Sequence, residues 1–169
     1  MLGSKNYGTA ADIWSIGCIL VEILIGKPFF PGNSTLNQLE KILAFTGHPT
    51  QNDINSLEAD CAETMIKSVN VTKARLIKEW FKSDTSMDAI DLVTKMLEFN
   101  PNKRIKMDEI LKHPYVAQFR DIRTEIESRK SIRPPVSDNK KLNLKQYRNL
   151  IYESIKKIFN PPEERLMSM

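Results

Sequence analysis

The sequence predicts a mainly α-helical protein, and three observations on the 169-residue chain indicate that fold class. Residues 13–25 form an almost unbroken apolar run. The run is too short for a bilayer-spanning helix of about 20 residues but is typical of a helix buried inside a protein. Farther along, apolar residues recur at the 3.6-residue spacing of amphipathic helices. Glycine and proline stand at the ends of these segments, where helices stop.

The buried helix is expected to begin at Thr9, whose hydroxyl can cap it, with Asp12 in its first turn. Gly26 and Pro28 are expected to end it. Because only two plainly polar side chains interrupt the run, the helix is apolar on all sides and needs neighbours on all sides.

A second helix is expected between Ser34, a favourable cap residue, and the pair Gly47 and Pro49. Its apolar positions are Leu36, Leu39, Ile42 and Leu43. Between residues 51 and 81, scattered apolar positions indicate short helices in a loop-rich segment.

A third helix is expected after Thr85 and Asp88, which have the spacing of a capping box. Its apolar face consists of Ile90, Val93, Met96 and Leu97. The turn NPNKR, residues 100–104, follows, and a further short helix is expected to stop before Pro114.

From Arg120 the chain is polar and basic, and the pair Pro134 and Pro135 excludes a continuous helix, so an extended connector is predicted. A final amphipathic helix carries the apolar stripe Tyr147, Leu150, Ile151, Ile155, Ile158 and Phe159. Such a stripe can bind a partner, a membrane or the chain's own domain. Because it is narrow and lacks tryptophan, packing against its own domain is the favoured interpretation.

Composition argues against several classes of function. The net charge is only +4, and the basic stretch between Arg120 and Arg148 has neither interleaved aromatic residues nor zinc-finger spacing, so a solvated basic face is expected and a nucleic-acid partner is not. Cys18 and Cys61 stand far apart, which favours free thiols in a reducing compartment. The chain has only two histidines and two cysteines, so it has few side chains that could bind a transition metal. The first residues lack the features of a signal peptide, so the expected location is the cytoplasm, with the nucleus as a second compartment.

Three motifs carry a family resemblance. Residues 12–18 read DIWSIGC, Arg104 lies in NPNKRI, and residues 113–115 read HPY. In this order and spacing they resemble the large lobe of the eukaryotic protein kinases, where a D-x-W-S-x-G-C segment opens the central buried helix. One such motif alone is a weak signal, but the three together are a strong one.

Other residues resemble the mitogen-activated protein kinases. The turn GKPFFPG, residues 26–32, is similar to a turn shared by mitogen-activated and cyclin-dependent kinases. The segment LNLKQYRNLIYESI, residues 142–155, resembles the C-terminal extension of the mitogen-activated group, which contradicts the cyclin-dependent alternative. Residues 32–43, GNSTLNQLEKIL, are most similar to the atypical, self-activating branch of the extracellular signal-regulated type.

The resemblance implies the C-terminal, large-lobe portion of the protein kinase-like fold, without the N-lobe and the catalytic segment. Residues 1–119 would form this partial lobe. Residues 120–169 would form a C-terminal extension, a linker plus an amphipathic helix that packs on the kinase.

The resemblance also implies an activity for the complete kinase, the transfer of the γ-phosphoryl group of ATP to serine or threonine followed by proline. The chain contains no G-x-G-x-x-G, H-R-D or D-F-G motif. We therefore expect no catalytic, cofactor-binding or metal-binding residue in it, and no phosphorylation by the chain alone. ATP and magnesium would bind in the complete kinase.

By the same resemblance, several residues would support the kinase core. Asp12 would accept hydrogen bonds from amides of the catalytic loop, Trp14 would pack near the substrate-positioning loop, and Arg104 would pair with the glutamate of A-P-E. Ile19 and Ile23 would anchor the apolar column that reaches the adenine ring. An ordinary first-turn acid and ordinary core residues are the alternative interpretations.

Two docking sites are implied. Asp121 and Glu125 fall where these kinases keep acids that bind basic motifs, although Arg123 is interleaved and Thr124 stands where an acid is often found. Two solvated acids are the alternative. An apolar pocket for aromatic motifs would comprise Leu2, Thr35, Leu36, Leu39 and Met65. The family often has tyrosines at two of these positions, so weak or altered binding is expected.

The partners implied are therefore protein substrates and regulators with docking motifs, together with the missing N-terminal half of the kinase. No nucleic acid or membrane partner is expected. A non-catalytic docking module is the alternative function for the chain by itself.

Overall fold

A computed structural model describes residues 8–69, 76–125 and 141–159, and the described residues form helices and no strand. The chain divides into two compact units, residues 1–123 and 124–169. The first unit contains the helices α1 Thr9–Ile25, α2 Thr35–Thr46, α3 Gln51–Asn55, α4 Ala62–Ser68, α5 Met87–Met96, α6 Met107–Lys112 and α7 Pro114–Ala117. Two 3-10 turns span Ile77–Trp80 and Ile122–Thr124, and α8, Leu144–Phe159, belongs to the second unit. The prediction of a mainly helical protein is confirmed for the described residues.

Helix α1 packs with one stripe against α5. The stripe consists of Ile13, Gly17 and Val21, which are all buried. A Cβ atom added at Gly17 would lie 3.0 Å from Met96 Cβ and 3.0 Å from Leu97 Cδ2, so glycine is what lets the two helices approach this closely.

Helix α5 lies between two apolar clusters. On one side Ile90, Val93 and Leu97 pack with Val21, and on the other Leu92 and Met96 pack with residues of α1 and α6. These α5 side chains are all buried, in agreement with the apolar face predicted for this helix.

The sequence predicted the C-terminal end of α1 correctly but not its N-terminal end. The residue before the helix is Gly8, not Thr9, and it makes no side-chain cap, so the predicted threonine cap is wrong. Thr9 is already inside the first turn, where its hydroxyl no longer faces the free amides. At the other end Gly26 has φ of +74° and donates its N–H to Glu22 O, as predicted. The Glu22 carboxylate also accepts the N–H of Phe29 at 3.0 Å, which fixes the turn that follows.

An aromatic cluster fills the space beneath that turn. The ring of Phe29 lies 4.1 Å from the ring of Phe30, 5.0 Å from that of Phe45 and 5.5 Å from that of Trp80, measured between centroids. The cluster joins the turn to α2 and to the 3-10 turn Ile77–Trp80, with mostly tilted or edge-to-face contacts that suit aromatic rings.

Helix α2 begins as predicted. Ser34 Oγ accepts the N–H of Asn37 at 3.2 Å, and Gly47 ends the helix with φ of +77°. Its buried side chains Leu39 and Leu43 pack with Ile66 of α4 in a third apolar cluster.

The predicted capping box before α5 is wrong. Ser86 is the residue that precedes the helix, and it makes no side-chain cap. Because the helix starts one residue later than the box requires, Asp88 is no longer three residues from the cap position. The Thr85 N–H instead closes a turn onto Lys82 O at 3.1 Å.

The second unit contains α8, whose start is well capped. Asn143 and Gln146 exchange two hydrogen bonds of 2.9 Å each, from the backbone N–H of each residue to the side-chain oxygen of the other. The predicted amphipathic helix is thus present at residues 144–159, and its packing against the kinase portion stays a prediction. The connector with Pro134 and Pro135 lies outside the described residues. No helix in the described ranges is long and apolar enough to span a membrane.

Replacing Gly17 by valine is expected to destabilise the first unit by about 1–3 kcal/mol, because the branched side chain overpacks the contact between α1 and α5. Urea denaturation followed by circular dichroism measures the change. Ser15→Val is the control, since it places the same branched side chain at an exposed position of α1. Equal stability of Gly17→Val and wild type would contradict the close packing.

Candidate functional site

The first turn of α1 is held by Arg104. The guanidinium donates to three backbone carbonyl oxygens, those of Glu98 at 2.9 Å, Phe99 at 3.2 Å and Ala10 at 2.5 Å. The bond to Ala10 joins residues 94 positions apart. Arg104 therefore fastens the start of α1 to the segment that follows α5.

The aromatic ring of Trp14 covers this guanidinium. Arg104 Cζ lies 4.9 Å from the centre of the Trp14 ring, which also stacks on Phe30 at 6.2 Å between centroids. Burial lowers the pKa of Arg104 from its ordinary value, but a guanidinium stays charged in proteins. Asp12 is exposed in the same first turn. The structure thus brings Trp14 and Arg104 into contact and places Asp12 near them along the chain.

The turn of residues 100–104, which ends at Arg104, also contacts a buried carboxylate, that of Asp53. Asp53 was not among the functional residues predicted from the sequence. Asp53 accepts hydrogen bonds from Asn100 Nδ2 at 2.8 Å and from Lys103 Nζ at 2.8 Å. Its other oxygen accepts the N–H and the hydroxyl of Thr50 at 3.1 and 2.6 Å. The bonds to Lys103, Thr50 and Asn100 hold the pKa of Asp53 far below its ordinary value, so the side chain is charged at neutral pH.

Part of this arrangement had a signal in the sequence. Thr50 and Asp53 have the spacing of a capping box, and they do form one at the start of α3. The bond from Asn100, 47 residues away, has no such local signature. Asn100 is itself buried, and its Oδ1 accepts the N–H of Asn102 at 2.9 Å, which shapes the turn before Arg104.

His113 anchors the α6–α7 corner in a similar way. Its Nε2 lies 2.8 Å from Asp91 Oδ2, and its Nδ1 accepts the Tyr115 N–H at 3.4 Å. Because Nδ1 is an acceptor, the ring proton is assigned to Nε2, which donates to Asp91. Bonds from Lys95 and from His113 hold the pKa of Asp91 below its usual range.

An open apolar groove lies between α1 and the helices α5, α6 and α7. Ile16, Ile19 and Ile23 are 44%, 57% and 73% exposed, and they line a cavity of about 310 Å³. The other wall consists of apolar side chains from α5, α6 and α7, Leu92 and Val116 among them. Ile19 and Ile23, which were predicted to anchor an apolar column, thus both face this groove. The buried stripe of α1 is a separate set of residues, Ile13, Gly17 and Val21.

The predicted apolar docking pocket is divided between core and surface. Leu39 is 1% exposed and belongs to the third cluster, on which Met65 packs. Thr35 and Leu36 lie in the exposed first turn of α2. Leu2 lies outside the described residues.

Of the two predicted docking acids, Asp121 belongs to the first unit and Glu125 to the second. The Asp121 carboxylate contacts the Arg123 guanidinium through both oxygens, each at 3.0 Å. Arg123 holds the pKa of Asp121 below its ordinary value.

The titratable side chains of the described residues are dispersed. Within residues 8–69, 76–125 and 141–159, no three His, Cys, Asp or Glu side chains come together as a metal site would require. Cys18 and Cys61 are free thiols. Burial, followed by the charge of Glu22, raises the pKa of Cys18 to about 11, so its thiol is protonated at neutral pH.

Replacing Asp53 by asparagine is expected to destabilise the first unit by about 1–3 kcal/mol at neutral pH, because an amide NH2 group replaces one oxygen and the two donors on that oxygen lose their acceptor. The folded state lowers the pKa of Asp53, so this contribution is present above its unfolded pKa of about 4 and is lost as the pH falls below it. Urea denaturation from pH 7 to pH 3 should show the gap between wild type and Asp53→Asn narrowing below pH 4. The exposed Asp84→Asn is the control, and a gap that stays constant with pH would contradict the assignment.

Replacing Arg104 by lysine is expected to cost about 2–3 kcal/mol of unfolding free energy, because an ammonium cannot reach three carbonyl oxygens and stack on Trp14 at once. Urea denaturation measures the loss, and tryptophan emission reports the altered contact. Lys112→Arg, at an exposed position, serves as the control. Unchanged stability of Arg104→Lys would rule out the guanidinium as the fastening of α1.

Comparison with known proteins shows the family to which the chain belongs. Residues 1–116 match the family model described as the protein kinase domain. The chain is 42% identical over 165 residues to "Extracellular signal-regulated kinase 2" of Dictyostelium discoideum, which covers 98% of this chain and 44% of that protein. It is 39% identical over 155 residues to "Mitogen-activated protein kinase 15" of Xenopus laevis, covering 92% of this chain and 26% of the relative.

A plant relative extends the range of the comparison. "Mitogen-activated protein kinase 10" of Arabidopsis thaliana is 38% identical over 162 residues, covering 95% of this chain and 40% of that protein. The chain thus spans less than half the length of each of these relatives. It belongs to the protein kinase family, and within that family to the mitogen-activated protein kinases of the extracellular signal-regulated type.

Proposed function

We propose that this chain supplies large-lobe helices of a serine/threonine mitogen-activated protein kinase and that the groove along α1 receives the remainder of the kinase domain. The exposed isoleucines of α1 carry this proposal. The stripe Ile13–Gly17–Val21 is core, while Ile16, Ile19 and Ile23, on the same helix, face the open groove.

The energetics favour a covered groove. Burying an isoleucine side chain contributes about 1.5–3 kcal/mol, and three such residues therefore represent a large part of the 5–15 kcal/mol by which a domain is stable. Apart from Tyr115 the groove is lined by aliphatic side chains, which offer water no hydrogen-bonding partner. An apolar surface of this kind in a chain that spans less than half of its relatives suits contact with the rest of the domain.

Two polar residues near the start of α1 fit the same proposal. The guanidinium of Arg104 lies at the first turn of α1, where it donates to the carbonyl of Ala10, and from there it would pair with the glutamate of A-P-E. Asp12 is exposed in that turn and would accept amides of the catalytic loop. Both residues would position the catalytic segment without contacting substrate.

We also propose that phosphoryl transfer to serine or threonine followed by proline is an activity of the complete kinase. Phosphoryl transfer requires a lysine and backbone amides on the nucleotide phosphates, carboxylates that hold magnesium, and an aspartate at the substrate hydroxyl. The 169 residues contain none of the motifs that supply these groups. The chain alone is therefore inactive in this proposal.

The test is complementation of the 169-residue chain with a separately purified segment of the Dictyostelium relative, the part of that protein outside its match to this chain. We expect saturable association and ATP-dependent phosphorylation of Ser-Pro peptides by the mixture only. Ile23→Asp should abolish both, whereas Leu76→Asp should abolish neither, although both side chains are 73% exposed. Phosphorylation by the chain alone would refute its inactivity, and association that survives Ile23→Asp would refute the groove.

A second candidate function is the binding of basic docking motifs at Asp121. The observation that favours it is geometric, because the half-exposed carboxylate of Asp121 already binds one guanidinium through both oxygens. A basic side chain of a substrate or regulator would use the same geometry. Saturable binding of a basic peptide that Asp121→Asn weakens would support this function.

A further inference from the structure

A second cavity, of about 490 Å³, lies beside α2 and is open to solvent. One of its walls is a single face of α2, because its residues follow the i, i+3, i+4 and i+7 spacing of side chains that share a helix face. These residues are Asn37, Glu40, Lys41 and Ala44. The buried side chains of α2 belong to a different face of the helix, so the cavity is separate from the third apolar cluster.

The other walls present flat apolar surfaces. Pro28 and Pro31 of the turn after α1 line the cavity, together with Trp80 of the 3-10 turn Ile77–Trp80. Proline has no backbone N–H, so the turn offers a ligand apolar contact at these two positions and no backbone donor.

The walls are held in place by contacts within the protein. The ring of Phe29, which also lines the cavity, meets that of Trp80 edge to face at 5.5 Å between centroids, and its N–H donates to the Glu22 carboxylate at 3.0 Å. At the far end of the turn, the Gly32 N–H donates to Gln38 Oε1 at 2.8 Å and thereby joins the turn to α2. Because the cavity is preformed, binding costs little ordering of its walls.

The charges that the described residues contribute to the lining are balanced. Lys27 and Lys41 are the cations, and Glu40 and Glu79 are the carboxylates. Glu40 accepts a hydrogen bond from Asn37 Nδ2 at 3.1 Å. The other three charged side chains form no salt bridge within residues 8–69, 76–125 and 141–159. A ligand that carries one charge of each sign therefore complements this lining better than a ligand of a single sign.

The length of the α2 wall suits a short peptide. From Asn37 to Ala44 the helix rises about 10 Å, at 1.5 Å per residue. An extended peptide covers that length with about three residues, since each spans about 3.3 Å. Three residues provide room for one apolar side chain between two charged ones.

We propose that this cavity is a docking site for a short peptide segment of a partner protein, in which an acidic and a basic residue flank an apolar one. The acid binds Lys41, the base binds Glu79, and the apolar side chain packs on Trp80 and the two prolines. The cavity shares no lining residue with the groove along α1 and does not include Asp121. The inference therefore does not depend on the proposed function.

The experiment titrates the full 169-residue chain with three fluorescent pentapeptides that share a central leucine. In the first, two aspartates precede the leucine and two arginines follow it. The second has aspartates on both sides, and the third has arginines on both sides. Anisotropy at about 0.15 M ionic strength, where long-range attraction is screened, gives the dissociation constants.

Two pairs of variants test the charged contacts. Lys41→Gln and Glu79→Gln each remove one charge from the cavity lining. Lys112→Gln and Asp84→Asn are the matched controls, because they remove the same charges from exposed positions outside it. Ala44→Leu fills the cavity and changes no charge, and leucine is a good helix former.

We expect the mixed-charge peptide to bind with saturation and more tightly than the other two. Lys41→Gln and Glu79→Gln should each weaken it about two- to fivefold, the range of exposed ion pairs, while the two controls bind like wild type. Ala44→Leu, with an unchanged circular dichroism spectrum, should abolish binding. If Ala44→Leu does not fold, the two charge variants decide the question, since both act at side chains that are not buried.

Four results would overturn the proposal. Tightest binding of the all-aspartate peptide would show general attraction to a chain of net charge +4. Equal weakening by the control variants would show the same. Binding that a folded Ala44→Leu leaves intact would place the peptide elsewhere on the surface, and wild type that binds no peptide with saturation would leave the cavity without this role.

Discussion

The turn from Asn100 to Arg104 is the constraint on which the rest of the first unit depends. At its beginning, Asn100 donates to the buried carboxylate of Asp53 in α3, and at its end Arg104 donates to the carbonyl of Ala10 in α1. These two bonds join parts of the chain that are 47 and 94 residues away from the turn. A buried donor or acceptor without its partner is costly, so the turn has to adopt one conformation to satisfy both ends.

Helix α1 is held by polar contacts near its start and by apolar contacts along its length. Near its start the helix is fastened by polar contacts from Arg104 and by the ring of Trp14. Along its length it is held by apolar contact with α5, where Gly17 permits close approach. Because α5 leads directly into the turn, the polar and the apolar contacts position the same helix. The groove between α1 and the helices α5, α6 and α7 therefore keeps a defined shape.

Local features of the fold could be predicted from the sequence and long-range ones could not. Gly26 and Ser34 were predictable because a positive φ favours glycine and a free amide favours serine, and both effects act within a few residues. The capping box predicted at Thr85 and Asp88 is wrong, although threonine is also a favourable cap residue. The helix starts one residue later than predicted, so neither side chain stands at the position that a capping box requires. Asp53 shows the limit most clearly: its capping box is local and visible, but its burial depends on Asn100, which only tertiary packing brings near. For the candidate site, the motifs identified Trp14 and Arg104, while the backbone carbonyls that Arg104 binds have no signature in any side-chain pattern.

Cys18 provides a chemical reporter of whether α1 is seated. Because burial raises its pKa to about 11, this thiol carries far less thiolate at neutral pH than an ordinary cysteine. Since the thiolate is the reactive species, alkylating reagents and peroxides should modify Cys18 slowly as long as the helix stays packed. Cys61 is exposed and lies outside the α1 contact, so it is modified independently of that packing. The ratio of modification at the two cysteines therefore measures the fraction of molecules in which the central helix has left its place.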